Sequence, residues 1–240
     1  VRVCGCFVTG TDTGVGKTRM AAAIVRSLAQ EGLRVAAMKP VAAGAAATPD
    51  GLRNEDALAL AAAANVAADY SLVNPYCLEL AASPHLAARS AGVTIDPAVI
   101  RKRFDRLAEQ ADVVVVEGAG GWLAPIGEDT TMASVALALG LPVLVVVGLR
   151  LGCLNHTLLT VRAIAADGLA FAGWIANHVD PEFAQAAENV ATLEDMLGIE
   201  PLAVVPFDPQ RTALETLDGA AVSRLLAAVG VHRGTRAHDS

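Results

Sequence analysis

The chain has 240 residues, of which 54% are apolar, 18% charged and only 4% aromatic. A chain of this length buries about 70–75% of its unfolded surface, and so apolar a composition excludes an intrinsically disordered protein. With 25 acidic against 18 basic residues the net charge is −7, which excludes the basic footprint of a nucleic-acid groove but not an anionic small ligand held by a few cations and backbone N–H groups.

Residues 3–9 form an apolar run that stops at a glycine, a strand. Residues 17–30 have helical spacing, with Met20, Ile24 and Leu28 on one face. Gly32 ends that helix and 34–38 is the next strand. Residues 40–52 read as a small-residue loop. Asn54 caps a helix over 55–64. The stretch 70–89 holds Asn74-Pro75 and Ser83-Pro84, so it reads as loop with short elements. Asp96-Pro97 opens a helix to about residue 110. The four valines 113–116 are a strand buried on both faces. A helix at 132–139, a strand at 143–147, a helix at 154–166, a strand at 171–176, a helix at 181–197, a strand at 202–205 and a helix at 213–229 complete the series.

The uncharged run 130–149 has membrane-spanning length. Gly140 and Pro142 break its middle and its second half is β-branched, so helix, turn and strand are expected rather than a span. The start lacks the pattern of a secretory signal. Cys4, Cys6, Cys77 and Cys153 contain no C-x-x-C pair, and Cys4 and Cys6 share one strand face as packing atoms. A cytoplasmic protein with reduced thiols is expected. Regular strand–helix alternation predicts an α/β fold: a mostly parallel sheet with helices on both faces. One domain is expected over 1–230, with a disordered polar tail over 231–240. In such sheets ligands bind beyond the carboxyl ends of the strands, where every chemical feature below falls.

Gly10-Thr11-Asp12-Thr13-Gly14-Val15-Gly16-Lys17-Thr18 lies between a strand and a helix. This is the context of a P-loop, hence of a P-loop NTPase-like fold. Backbone N–H groups cradle phosphates, Lys17 reaches the β and γ oxygens, and the Thr18 hydroxyl is a Mg²⁺ ligand. Five residues rather than four separate Gly10 from Gly16, a longer variant of the loop. Glu117 follows the valine strand, where a Mg-nucleotide enzyme needs a hard oxygen ligand, and Gly118-Ala119-Gly120-Gly121 lets a backbone approach a ligand closely. Asp56 is either a second such ligand or a favourable charge at a helix start. Lys39 is either a surface lysine or a second cation beside a transferring phosphoryl group. Asn177 suits an adenine edge or a turn. His85, His156 and His178 have no metal-ligand spacing.

Phe7 to Thr18, Lys39-Pro40-Val41-Ala42, Leu52-Arg53-Asn54-Glu55-Asp56-Ala57, Ser83-Pro84-His85, Val116-Glu117-Gly118-Ala119-Gly120-Gly121 and Leu151-Gly152-Cys153-Leu154-Asn155-His156 together resemble the dethiobiotin synthetase family. They occur in that family's order and span about residues 3–207. The resemblance implies an ATP- and Mg²⁺-dependent ligase of biotin biosynthesis. It would join CO₂ to 7,8-diaminopelargonic acid through a carbamate and a carbamic–phosphoric anhydride, close the ureido ring, and release ADP and phosphate. It makes Lys17 and Lys39 catalytic and Thr18, Asp56 and Glu117 the Mg²⁺ ligands. It assigns Thr13, Gly14, Val15, Gly16, Lys17, Thr18 and Arg19 to the nucleotide, with Gly118, Ala119 and Gly120. It gives the base to Asn177, with Val205, Pro206 and Phe207 lining it, and His178 to the nucleotide. Thr13, Lys39 and Ala43 would meet the substrate, with Gly152, Cys153, Leu154 and Asn155 supplied across a homodimer interface; no membrane or nucleic-acid partner is implied. Ala43 stands where many members have Ser or Thr, Gly14 where some have Glu, Phe207 for a frequent Trp and His178 for a frequent Asp. A cobyrinic-acid-type amide synthase would need a glutaminase domain for which there is no room. A ParA/MinD-like ATPase switch would carry a lysine at Asp12.

Overall fold

The structure is a computed structural model and describes residues 4–207, 217 and 219–231. Strand β1 (Cys4–Gly10) runs into helix α1 (Lys17–Gln30), and β2 (Val35–Met38) follows. Helix α1 has the predicted bounds. The loop expected over 40–52 instead contains β3 (Val41–Ala43), β4 (Ala46–Thr48) and β5 (Gly51–Arg53). Small residues gave no strand signal there. β4 and β5 form an antiparallel hairpin whose register pairs Thr48 with Gly51, and Gly51 takes φ +98°. Helix α2 (Glu55–Ala63) starts at Asn54 as predicted: the Asn54 Oδ1 accepts from the backbone N–H groups of Asp56 and Ala57. The broken stretch resolves into α3 (Tyr70–Val73), β6 (Tyr76–Leu78) and α4 (Pro84–Ser90), and β6 pairs in parallel with β3.

Helix α5 (Pro97–Ala108) begins at the Asp96 cap, and β7 (Val113–Glu117) is buried throughout. Helix α6 (Met132–Leu139) opens on a Thr131–Ser134 capping box and ends at Gly140 in the left-handed region. It separates β7 from β8 (Val143–Leu149), so the uncharged run is helix, turn and strand. No helix among the described residues is long and apolar enough to cross a membrane. Helix α7 (Cys153–Ala166) and β9 (Phe171–His178) follow. Helix α8 (Ala186–Leu197) starts five residues later than predicted, because Asp180 first makes a turn, its carboxylate accepting from the Glu182 N–H and its carbonyl from the Phe183 N–H. Strand β10 (Ala203–Val205) and helix α9 (Gly219–Ala228) complete the series. The first part of the helix expected over 213–229 and the expected tail after residue 231 lie outside the described residues.

Six strands form one sheet in the order β10-β9-β8-β1-β7-β2, with every pairing parallel. Alternation along each strand feeds two cores. Val114 and Val116 of β7 join Phe7, Met38, Val145 and Trp174 under α5 to α8. Val113 and Val115 join Cys6, Val8, Val146 and Ile175 under α1, α2 and α9. Cys4 and Cys6 pack on that second core, as their spacing predicts. Because all six strands run the same way, the ends of β1, β2, β7, β8 and β9 meet along one rim. Gly10, Lys39, Glu117, Arg150 and Asn177 stand at or just beyond those ends.

Candidate active site

The loop after β1 is shaped by what it cannot accommodate. Gly16 has φ +88°, and a Cβ there would lie 2.4 Å from Nδ2 of Asn177. A Cβ on Gly10 would meet Val15 Cγ2 at 2.7 Å. Gly14 also takes a positive φ, of 74°, but faces open space. The Val15 side chain is buried, packed toward Gly148, so only its backbone faces the rim. Asn177 locks that backbone by donating from Nδ2 to the Val15 carbonyl at 2.8 Å. Helix α1 then begins at Gly16 with no side-chain cap and no acidic residue in its first turn. Its first N–H groups and the positive end of its dipole are left for an anion. Lys17 Nζ folds back to the Asp12 carbonyl at 2.8 Å. Burial and the neighbouring Lys39 charge pull its pKa down to about 8.

Across the cleft stands a second charged group. Lys39 Nζ lies 2.5 Å from Glu117 Oε1 and 3.1 Å from Asp56 Oδ2. Thr18 donates from Oγ1 to the same Glu117 oxygen at 2.9 Å. Lys39 and Glu117 are buried, whereas the Asp56 side chain is half exposed. Burial draws the Lys39 ammonium down, but the Glu117 and Asp56 carboxylates outweigh it and hold it above its ordinary value. Burial raises Glu117 against the pull of Lys39, and in Asp56 the lysine prevails over burial and lowers the carboxyl. Glu117 Oε2 is buried with no hydrogen-bond partner among the described residues. Thr18, Asp56 and Glu117 therefore offer hard oxygens in one place, the donor chemistry that suits Mg²⁺.

These groups line one cleft of about 850 Å³, together with Thr13, Gly14, Gly16, Arg19, Ala43, Ala119 and Gly120. A family model described as an AAA domain matches residues 5–215. The chain is 47% identical over 218 residues to the ATP-dependent dethiobiotin synthetase BioD of Xanthomonas axonopodis pv. citri (strain 306), covering 91% of this chain and 97% of that protein. It is 49% identical over 203 residues to the protein of that name in Vibrio vulnificus (strain YJ016), covering 85% and 89%. The chain belongs to the dethiobiotin synthetase family. Among solved structures it is similar to a MinC:MinD cell division protein complex from Aquifex aeolicus, at TM-score 0.56 and 18% identity over 95% of this chain and 94% of that one. It is also similar to the septum site-determining protein MinD with Mg-ADP from Pyrococcus horikoshii OT3, at 0.53 and 17% over 95% of each. At such identity these two share the fold and nothing finer.

The remaining dethiobiotin synthetase positions are not all in the cleft. Gly118 does not line it: a Cβ there would stand 3.0 Å from the Phe7 ring, so its smallness serves packing. Val15 does not line it either: its side chain is buried and its carbonyl accepts from Asn177. Asn177 sits next to Val205 in register on β10, and its Oδ1 is buried without a partner among the described residues. Pro206 and Phe207 follow, both exposed. Ile175 belongs to one core and Ala176 to the other, so alternation sends the Asn177 and His178 side chains to opposite faces of the sheet. Gly152, Cys153, Leu154 and Asn155 do not line this chain's cleft. Cys153 turns into the core, while Gly152 starts α7 with φ +96° and no side-chain cap. Beside them Leu151 is 90% exposed.

Two features escaped the sequence. Asp12 forms an ion pair with Arg150, which tethers the phosphate loop to the end of β8. Their 138-residue separation carried no signal except that each stands just beyond a strand end. Ala81, Ala82, Ser83 and Pro84 wall the cleft beside Ala43. The Ser83-Pro84 pair was legible as a breaker but not as a wall, because the contact depends on how β6 pairs with β3.

Proposed function

We propose that the chain closes the ureido ring of dethiobiotin from 7,8-diaminopelargonic acid and CO₂ or bicarbonate, with ATP and Mg²⁺, in the synthesis of biotin. Family membership supports the reaction. The observation that carries the chemistry is Lys39, held between Glu117 and Asp56 in the same cleft as Lys17. Lys17 and the uncapped N–H groups of α1 hold the phosphates, with Thr13, Gly14, Gly16 and Arg19 around them. Thr18, Asp56 and Glu117 would hold Mg²⁺, and the unpartnered Glu117 Oε2 fits that role. Mg²⁺ held there would supply positive charge against the phosphates. Asn177 and residues 205–207 receive the base.

One substrate amine takes up CO₂ and loses a proton, forming a carbamate. Lys39 holds that carbamate beside the γ-phosphate. A carbamate oxygen attacks phosphorus, the bond to ADP breaks, and the mixed anhydride forms. The second amine attacks the carbonyl carbon and loses its proton, and phosphate leaves as the ring closes. Two lysines supply the charge stabilisation, so no covalent nucleophile on the protein is needed. Gly152, Cys153, Leu154 and Asn155 of the partner subunit bind the substrate carboxylate at the uncapped start of α7, which makes the working unit a homodimer. The enzyme works in the cytoplasm, in keeping with its four free cysteines.

The test is incubation with labelled bicarbonate, diaminopelargonate and MgATP. One labelled ring product per ADP is expected. ATP turnover indifferent to both co-substrates would overturn the reading in favour of an ATPase switch.

A further inference from the structure

Lys39 and Asp56 come from different elements, yet their charged atoms are 3.1 Å apart. One short turn connects the two backbones. The Tyr70 hydroxyl, at the start of α3, accepts from the Asn54 N–H at 2.8 Å. Asn54 is the residue that caps α2 and so sets the direction of Asp56. The same hydroxyl donates to Asn74 Oδ1 at 3.1 Å. Asn74 Nδ2 donates to the Lys39 carbonyl at 2.6 Å, and the Lys39 N–H donates to the Val73 carbonyl at 2.7 Å. Asn74 and Asn54 are buried.

A backbone N–H only donates, so Tyr70 accepts from Asn54; an amide oxygen only accepts, so the bond to Asn74 Oδ1 uses the hydroxyl proton. The second Asn74 N–H goes to the Tyr76 carbonyl at 3.3 Å, and the third position on the hydroxyl meets Cys77 Sγ at 3.6 Å. Every side-chain donor of Tyr70 and Asn74 is therefore used. The Arg53 guanidinium lies over the Tyr70 ring, 4.3 Å from its centre, and holds the ring in place.

We propose that Tyr70 and Asn74 are positioning residues that set the spacing between Lys39 and Asp56, and thereby the metal–nucleotide affinity and turnover of the site. They touch neither Lys39 Nζ nor the Asp56 carboxylate; they act through the backbone of one and the helix cap of the other. The inference rests on the roles given above to Lys39 and Asp56.

The test compares Tyr70→Phe, Asn74→Asp and Cys77→Ala with the parent enzyme. Tyr70→Phe removes the bridging oxygen. Asn74→Asp keeps the acceptor for Tyr70 but removes the donor to the Lys39 carbonyl. Cys77→Ala removes only the third partner of the hydroxyl. Mn²⁺ binding with a non-hydrolysable ATP analogue is read by electron paramagnetic resonance, and kcat and KM for ATP are read separately. Tyr70→Phe and Asn74→Asp are each expected to weaken Mn²⁺ binding about five- to tenfold and to lower kcat to a similar degree, the loss of about one hydrogen bond. KM for the metal–ATP complex should rise with the loss of metal affinity, and Cys77→Ala should match the parent. Parent-like Mn²⁺ affinity and kcat in folded Tyr70→Phe would overturn the proposal. Failure of both Tyr70→Phe and Asn74→Asp to fold would overturn it too, assigning the network to stability alone. A parent enzyme that forms no labelled ring, but whose Mn²⁺ affinity falls in Tyr70→Phe, would refute the reaction and keep the positioning role.

Discussion

The two lysines of the cleft are held in opposite ways. Lys17 is placed by its own loop: a strand, a glycine turn and the first residue of a helix fix it, and its ammonium bonds a carbonyl five residues back. Lys39 is placed from a distance, by a carboxylate 78 residues away and another on a separate helix. The charges follow. Burial and a like charge draw Lys17 down to about 8, whereas two carboxylates hold Lys39 above its ordinary value. A cation held by a backbone carbonyl is ready to receive phosphate. A cation held by carboxylates would share them with a metal bound there.

The comparison breaks first at Lys17. Lys17→Ala should weaken ATP binding at least about 100-fold, because two charge-assisted bonds are lost; calorimetry reads this, and unchanged binding would refute the phosphate-loop role. Glu117→Gln should raise the Mg²⁺ needed for half-maximal rate about tenfold or more, the scale of losing one charged ligand. A Mg²⁺ titration that overlays the parent would remove Glu117 from the donor set. Next come two glycines of one loop. Gly16→Ala combines a positive φ with a 2.4 Å clash against Asn177 and should cost about 2–3 kcal/mol, measured by chemical denaturation. Gly14→Ala pays only the backbone term, about 1 kcal/mol, because its Cβ meets nothing. Equal losses at the two positions would show that packing against Asn177 does not shape the loop. The smallest effect belongs to the half-exposed tether: Arg150→Ala should change stability by about 0–1 kcal/mol, read in the same denaturation.

Legibility divided along the same line. The phosphate loop, α1, the valine strand and Glu117 could be read directly, because each is a local pattern: glycines at a turn, a helical apolar face, a continuous β-branched run. The Asn54 cap could be read for the same reason. Residues 40–53 could not. Ala42, Ala43, Ala46 and Ala47 have little strand propensity, and β3 exists because β6 pairs with it. Asn177 and His178 are neighbours in the chain but carry side chains on opposite faces of the sheet, which motif spacing does not show. The start of α8 was misread because Asp180 can satisfy backbone N–H groups without a helix.

By itself the sequence determined the order of the six main-sheet strands and the longer helices between them, the phosphate loop and the family, since periodicity, turn chemistry and motif spacing are properties of neighbours in the chain. That Lys39 and Asp56 share one cleft with Lys17 was decided only by the tertiary structure. Parallel pairing brings the carboxyl ends of five strands to one rim, and a buried lysine finds its carboxylates there. That lysine and those acids lie far apart in the chain, and a charge is buried only where folding brings its partner.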